Sequence, residues 1–262
     1  MAETQVVFDA ADAYERYMGQ WSRAVGERFL AWLAPPQHAR WLDLGCGTGA
    51  LTDLILKHCA PAAVTGVDPA AAQVAFATTQ FPAATFRVGD SMALPFGDDT
   101  FDVVASALVL HFIPDRHKAF AEMRRVARPG GIVSGYTWER SPTSKGAPYV
   151  PMMNGLRSIG VEPTTSPTVP EANVDGLRDA LERAGFGNIE VTVVEATQGY
   201  RDFDEYWALQ TMTFHPVGKS VATLDDAQRA TLREVMRGML PADAAGRISY
   251  AVRAVAFKAS PP

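Results

Sequence analysis

Residues 41–50 read WLDLGCGTGA, an apolar run interrupted by Asp43 and followed by glycines at positions 45, 47 and 49. Read as Gly45-x-Gly47-x-x-Ala50, the stretch satisfies the glycine fingerprint of a dinucleotide-binding turn, with Ala permitted at the last position. The glycines state only that something approaches the backbone closely. Asp43 bears on what that is. Two unit charges ~4 Å apart interact by about 4 kcal/mol at an effective dielectric near 20, so a carboxylate beneath the loop repels a pyrophosphate and favours a cation.

Outward from this loop the chain alternates short β-rich runs with helical patterns. RWLDLG (40–45), AVTGVD (63–68), TFRVGD (85–90), FDVVASA (101–107) and GIVSGYTW (131–138) read as strands, with helices over about 49–58, 70–80 and 114–128. That rhythm predicts an α/β, Rossmann-like architecture: a parallel sheet with helices on both faces. Such sheets take ligands at the carboxyl ends of their strands, where strand order reverses.

A separate helical pattern, YERYMGQWSRAVGERFLAWL, precedes the sheet and stops at Pro35-Pro36. After Trp138 a Pro-, Ser- and Thr-rich stretch predicts a loop-and-helix insertion with Met152, Met153, Leu156 and Ile159 on one buried face. Helix DGLRDALERAGF, ended by Gly185 and Gly187, and strand NIEVTVVEA follow. A second insertion over about 200–246 carries FDEYWALQTMTFHPVG and a helix, LDDAQRATLREVMRGML, before the last strand, RISYAVRAVAFKA. The expected organisation is an N-terminal helical lid segment at 1–36, a ligand-binding core at 37–139, a cap insertion at 140–173, and completion of the sheet at 174–262 with a second cap insertion.

With 262 residues the chain can bury one large core, and 47% hydrophobic with 20% charged residues is globular composition. The net charge of −5 and the absence of any basic run longer than Arg124-Arg125 argue against nucleic acid as a partner. The first twenty residues lack a signal-peptide pattern, and no apolar stretch is long enough to span a bilayer. Two cysteines, Cys46 and Cys59, match neither a disulfide framework nor a zinc spacing. The expectation is a cytoplasmic protein without metal and without membrane contact.

Three carboxylates end the first three strands: Asp43, Asp68 and Asp90. Asp68 stands 23 residues after Gly45, where an acid holds ribose hydroxyls of a nicotinamide or an adenosyl ligand alike. Asp90, in RVGDSMALPF, offers an acceptor to an exocyclic amino group such as that of adenine. Any one of them alone is equally an acid capping a turn. Together, a ribose, an adenine and a cation describe S-adenosylmethionine better than a dinucleotide.

The segments LDLGCGTG, VTGVDPA, VGDSMALPFGDDTFDVVASALVLHFIPD and VARPGG resemble, in order and spacing, the successive motifs of class I S-adenosylmethionine-dependent methyltransferases. Within that family the chain is similar to the small-molecule branch that includes quinone C-methyltransferases and natural-product O- and N-methyltransferases. The resemblance implies a seven-stranded, mostly parallel sheet with its final strand antiparallel. It implies that Asp43, Gly45, Cys46 and Gly47 surround the methionine moiety. Asp68 and Pro69 then meet the ribose, and Asp90, Ser91 and Met92 meet the adenine.

A sulfonium is already an activated methyl donor, so approach and alignment of the acceptor, ~3 to 3.5 Å from the methyl carbon, carry much of the rate. His111, just beyond the fourth strand, is the candidate base, and an unperturbed imidazole pKa near 6.5 suits that task. His215, in the second insertion, is the other. Arg23 is placed to clamp the donor's carboxylate, with Tyr14 or Tyr17 covering it. Met152, Tyr206, Trp207 and Phe214 supply apolar surface for a pocket, so the expected acceptor is a small apolar or aromatic molecule. Two alternatives stay open on sequence: a nicotinamide-dependent oxidoreductase, and a non-catalytic module that binds S-adenosylmethionine. The acceptor atom and the oligomeric state are also open.

Overall fold

Strand β1 (Arg40–Leu44) is buried from its second residue onward. Its side chains alternate between two cores: Trp41 enters one, while Leu42 and Leu44 enter the other. A strand covered on both faces belongs at the centre of a parallel sheet, which is why an almost unbroken apolar run precedes the glycine loop.

The computed structural model describes residues 20–140, 147–165, 169–213 and 215–262. Helix α1 (Gln20–Leu33) precedes β1, and α2 (Ala50–His58), β2 (Ala63–Asp68), α3 (Ala71–Gln80), β3 (Thr85–Val88) and β4 (Phe101–Ala107) follow. Then come α4 (Arg116–Val126), β5 (Ala127–Trp138), α5 (Val150–Ser158), α6 (Val174–Arg183) and β6 (Gly187–Tyr200). Helices α7 (Phe203–Gln210), α8 (Pro216–Ala222) and α9 (Asp226–Met239) lead into β7 (Ile248–Ser260), and 3-10 turns occupy Leu110–Phe112 and Pro170–Ala172.

The seven strands run in the order β3-β2-β1-β4-β5-β7-β6. Strands β1 to β5 pair in parallel, and β7 is antiparallel to both its neighbours. Strand order reverses between β1 and β4, so the crevice predicted for such sheets opens beyond Leu44 and Ala107. The expected α/β fold, including the antiparallel last strand, is the one observed.

Several boundaries differ for local reasons. β5 starts at Ala127, because Phe101 pairs with it before the register shifts at Val103. Gly185, with φ +77°, takes the left-handed cap after α6, where Phe186 N–H donates to the Leu181 carbonyl at 3.2 Å. Gly187 instead begins β6. The stretch FDEYWALQTMTFHPVG holds two helices, because His215 and Pro216 start α8 anew.

The cap helices are not a separate body. Met152, Leu156, Tyr206, Leu232 and Met236 share one core with Trp41 and Val103 of the sheet. Gly155 lets α5 approach α9, since a Cβ there would collide with the Met236 sulfur.

Two glycines with the same φ of +72° separate conformation from crowding: a Cβ at Gly45 would overlap the Val109 side chain, whereas one at Gly130 meets nothing within 4 Å. Gly45→Ala is expected to lose about 3 kcal/mol and Gly130→Ala about 1 to 2 kcal/mol in urea unfolding, with the slopes unchanged. Equal losses would show that crowding by Val109 contributes nothing.

Candidate active site

Asp43 lies in register with Gly66 of β2 and Ala105 of β4, two residues too small to crowd it, and has no exposed surface. On α2, which begins as the glycine loop ends, the Thr52 hydroxyl donates to Asp43 Oδ2 at 2.7 Å. Oδ1 is buried with no hydrogen-bond partner among the described residues. Burial pushes the Asp43 carboxyl up to about 7, with the Thr52 hydrogen bond opposing and the Asp68 charge adding to the shift. The charge inferred from sequence is therefore conditional: near neutral pH the ligand-free carboxyl is about half ionised.

The loop above it is tied to β2. Gly45 and Cys46 N–H groups donate to the Val67 carbonyl at 2.7 and 3.0 Å. Gly47 N–H donates to Asp68 Oδ2 at 3.0 Å, and Ala70 N–H donates to Oδ1 at 2.9 Å. Each Asp68 oxygen thus accepts one backbone donor and keeps a further acceptor site. Burial raises the Asp68 pKa, and these two backbone donors hold it back. At the end of β3 the Asp90 side chain is exposed, and its Oδ1 accepts Met92 N–H at 2.8 Å, which shapes the Ser91-Met92 backbone into a turn. Met92 packs on the second core, and Pro69 is exposed.

Beyond β4, Leu108 adopts φ 60° and donates its N–H to the Tyr136 carbonyl at 2.8 Å. A left-handed leucine costs about 1 to 2 kcal/mol and turns the chain sharply off the strand. Val109 then covers Gly45, and His111 follows in the 3-10 turn. His111 Nδ1 lies 3.3 Å from Thr137 Oγ1 on β5, and its ring lies 4.0 Å from that of Phe112, which is 44% exposed. Burial, then the Arg140 charge, pushes the His111 imidazole down to about 3. The ordinary pKa assumed from sequence is corrected accordingly: His111 is neutral across the physiological range.

The remaining sequence candidates divide. Arg23 of α1 sits 3.8 Å from Asp53 in the first turn of α2, one turn from the glycine loop. His215 is the N-cap of α8, its Nδ1 accepting Gly218 N–H at 3.1 Å, and burial lowers it to about 4. It serves the cap's backbone, which corrects its candidacy as a base. Cys46 presents no group of its own: its N–H donates to the Val67 carbonyl of β2, its carbonyl accepts Gly49 N–H, and burial keeps its thiol protonated. Met152 and Tyr206 are fully buried in the cap's core, and Trp207 stacks on Phe203 beneath Arg229 and Arg233. Packing therefore uses the surfaces that were expected to line a pocket. Tyr14, Tyr17 and Phe214 lie outside the described residues.

The methyltransferase-domain family matches residues 42–134, from β1 into β5. Trans-aconitate 2-methyltransferase of Deinococcus radiodurans is 27% identical over 96% of this chain and 97% of its own length. Demethylmenaquinone methyltransferase of Roseiflexus castenholzii is 30% identical over 63% of this chain and 75% of its own length. The chain belongs to the class I S-adenosylmethionine-dependent methyltransferases. The methyltransferase fold is also that of Haemonchus contortus phosphoethanolamine N-methyltransferase 2 in complex with S-adenosyl-L-methionine, at a TM-score of 0.57 and 19% identity, covering 99% of this chain and 58% of that one. Among the described residues no helix is long and apolar enough to cross a membrane.

The methyltransferase's donor is S-adenosylmethionine, and the residues present fit it. Asp43 keeps a buried oxygen with no partner among the described residues, and Asp68 retains acceptor sites on both oxygens. Sequence reasoning missed Thr52, Thr137, Tyr136 and Arg140. Thr137 and Arg140 were reachable by the strand-end rule that found the acids, since β5 ends at Trp138. Tyr136, whose hydroxyl donates to the Ser22 carbonyl at 3.2 Å and so ties α1 to the sheet, carries no such signal.

A bound cation favours ionised Asp43, so donor affinity rises with pH until Asp43 is ionised without help. With a ligand-free pKa of about 7, S-adenosylmethionine is expected to bind about tenfold tighter at pH 8 than at pH 6. Asp43→Asn abolishes that dependence in calorimetric titrations. In the ligand-free protein the raised pKa means that the folded state binds more protons than the unfolded state between pH 3.8 and 7. Stability from this group is thus lost as pH rises through that window, and Asp43→Asn gains on the native chain by at most about 4 kcal/mol.

Proposed function

We propose that this methyltransferase transfers the methyl group of S-adenosylmethionine by in-line displacement to a small acceptor seated in the crevice beyond β4 and β5. Asp68 receives the ribose hydroxyls, Asp43 faces the cationic side of the methionine moiety, and the backbone of Gly45 and Gly47 runs beside it. Asp90 accepts from the adenine amino group, which the Ser91-Met92 backbone flanks. Arg23 takes the donor's carboxylate in exchange for Asp53. The acceptor body lies against His111 and the exposed ring of Phe112.

The observation that carries the acceptor's placement is the His111–Thr137 pair, one group from the 3-10 turn after β4 and one from β5, adjoining the turn whose Val109 covers the glycine loop. No other described imidazole comes to this rim with a strand-end partner. With its pKa held near 3, His111 acts as a neutral hydrogen-bonding group that orients the acceptor, and takes no proton in the physiological range. The relatives' names cover trans-aconitate and demethylmenaquinone, so they do not select one acceptor.

Donor binding is tested first. Asp68→Ala is expected to raise the dissociation constant of S-adenosylhomocysteine at least about 100-fold, and Arg23→Ala about tenfold, in calorimetry. Once an acceptor has been found with labelled donor, kcat at saturating donor should show no limb near pH 6.5, because a group with a pKa of about 3 is already deprotonated there. His111→Ala should lower kcat/KM about 10- to 100-fold without changing the shape of that profile. A native limb near 6.5 that disappears in His111→Ala would restore the general-base role.

A further inference from the structure

The loop of residues 89–100 joins β3 to β4, and Asp90 with the Ser91-Met92 turn stands near its start. Ala93 N–H closes the turn by donating to the Asp90 carbonyl at 3.1 Å. What holds the segment beyond it comes from α4. Glu122 Oε2 accepts Leu94 N–H at 2.7 Å. The Arg125 guanidinium donates through Nη2 to the Leu94 carbonyl at 3.2 Å, and through Nη1 to the Phe96 carbonyl and to Asp98 Oδ1, both at 2.8 Å. Its Nε and Nη2 each lie 2.7 Å from one Glu122 oxygen, a bidentate pair. The Arg125 carbonyl then accepts Asp99 N–H at 3.1 Å. Leu94, buried in the second core, is thus gripped by α4 at both its N–H and its carbonyl.

An ion pair that served stability alone would direct its guanidinium to carboxylates. Here the fork is shared between Glu122 and two backbone carbonyls directly downstream of Asp90, an arrangement open to a planar guanidinium and closed to a lysine ammonium. The Arg125 hydrogen bonds hold the Glu122 carboxyl below the usual carboxylate range, so the pair is charged at neutral pH. Asp90 itself is exposed, with Oδ1 on Met92 N–H, and the backbone beneath it decides where its carboxylate stands.

We propose that Glu122 and Arg125 are positioning residues for the choice of the donor's base: by pinning the segment after the Asp90 turn they hold the Asp90 carboxylate against an amino group, and so select adenine over a base with an oxo group at the same position. This rests on the reading that Asp90 meets the adenine amino group. A carboxylate on a loose segment swings aside or admits water when it faces an oxo group, whereas one held in place meets that oxygen acceptor to acceptor. Glu122 and Arg125 act through the loop and not on the ligand.

The test uses the full chain in calorimetric titrations with S-adenosylhomocysteine and with S-inosylhomocysteine, whose base carries an oxo group in place of the amino group. The native chain is expected to prefer the adenosyl ligand by about 10- to 100-fold, and Asp90→Ala to lose most of that preference. Arg125→Lys weakens the adenosyl ligand about tenfold and the inosyl ligand by less than about twofold, so the preference falls. In the Asp90→Ala background the same substitution changes neither affinity by more than about twofold, because it acts through that carboxylate. Glu122→Gln, a milder change, lowers the preference about threefold and carries the test if Arg125→Lys does not fold. Arg124→Lys, which removes a like bond to the Ala184 carbonyl after α6, leaves the native preference in place. A folded Arg125→Lys chain with the native preference, equal weakening of both ligands, an undiminished effect in the Asp90→Ala background, or an equal loss in Arg124→Lys overturns the proposal. A native chain that does not bind S-adenosylhomocysteine, or binds both ligands equally, overturns the adenine reading instead, and the proposal with it.

Discussion

Between Gly66 of β2 and Ala105 of β4, the Asp43 carboxylate is held by the Thr52 hydroxyl with one oxygen left over and no solvent to ionise into. Its neighbours follow from it. The flanking residues must be small, α2 must begin where its Thr52 reaches the strand, and the loop between must be glycine-rich because Val109 and Gln73 occupy the space that side chains at 45 and 47 would need. Asp68 supplies the second constraint: by catching Gly47 N–H it closes the loop onto β2. Two acids so close, both shifted upward by burial, are unfavourable in an empty fold, and a buried carboxylate short of partners is stabilised by whatever brings a positive charge.

The glycine loop and the turn after β4 are one mechanical unit. Leu108 accepts a left-handed backbone so that Val109 can lie on Gly45, and the same turn delivers His111 to Thr137. A strained residue at a strand end persists because its surroundings over-determine it, here through the Leu108 N–H bond to the Tyr136 carbonyl. Tyr136 carries the coupling further, since its hydroxyl reaches Ser22 on α1, the helix that also bears Arg23. Tyr136 thereby ties the helix that bears Arg23 to the turn that carries His111.

The fold was legible because strands buried on both faces leave continuous apolar runs, and because the acids sit at the ends of those runs. Asp43, Asp68 and Asp90 are where a strand-end reading puts them. Chemistry decided by three-dimensional surroundings was not legible. His111 was found, but its pKa is set by burial and by Arg140, 29 positions along the chain. His215 carries the same residue type and is a helix cap, because Pro216 starts a helix that needs one. Tyr206 and Met152 carry the apolar character of a pocket wall and turn out to be core, since helical spacing reports burial and not what does the burying. Thr137 and Arg140 stand where the same strand-end reading points, at the end of β5, and went unread because the composition changes after Trp138.

The Asp43 charge gives the proposed cycle a direction. Burial favours the protonated carboxyl while the site is empty, so an incoming cation is what keeps it ionised. On the donor-site proposal the sulfonium facing Asp43 becomes a neutral thioether once the methyl group has left, and the carboxyl returns to a buried state that favours its proton. The contact that assembles the donor is then the one the reaction removes, so the carboxyl that holds the substrate also favours release of the product.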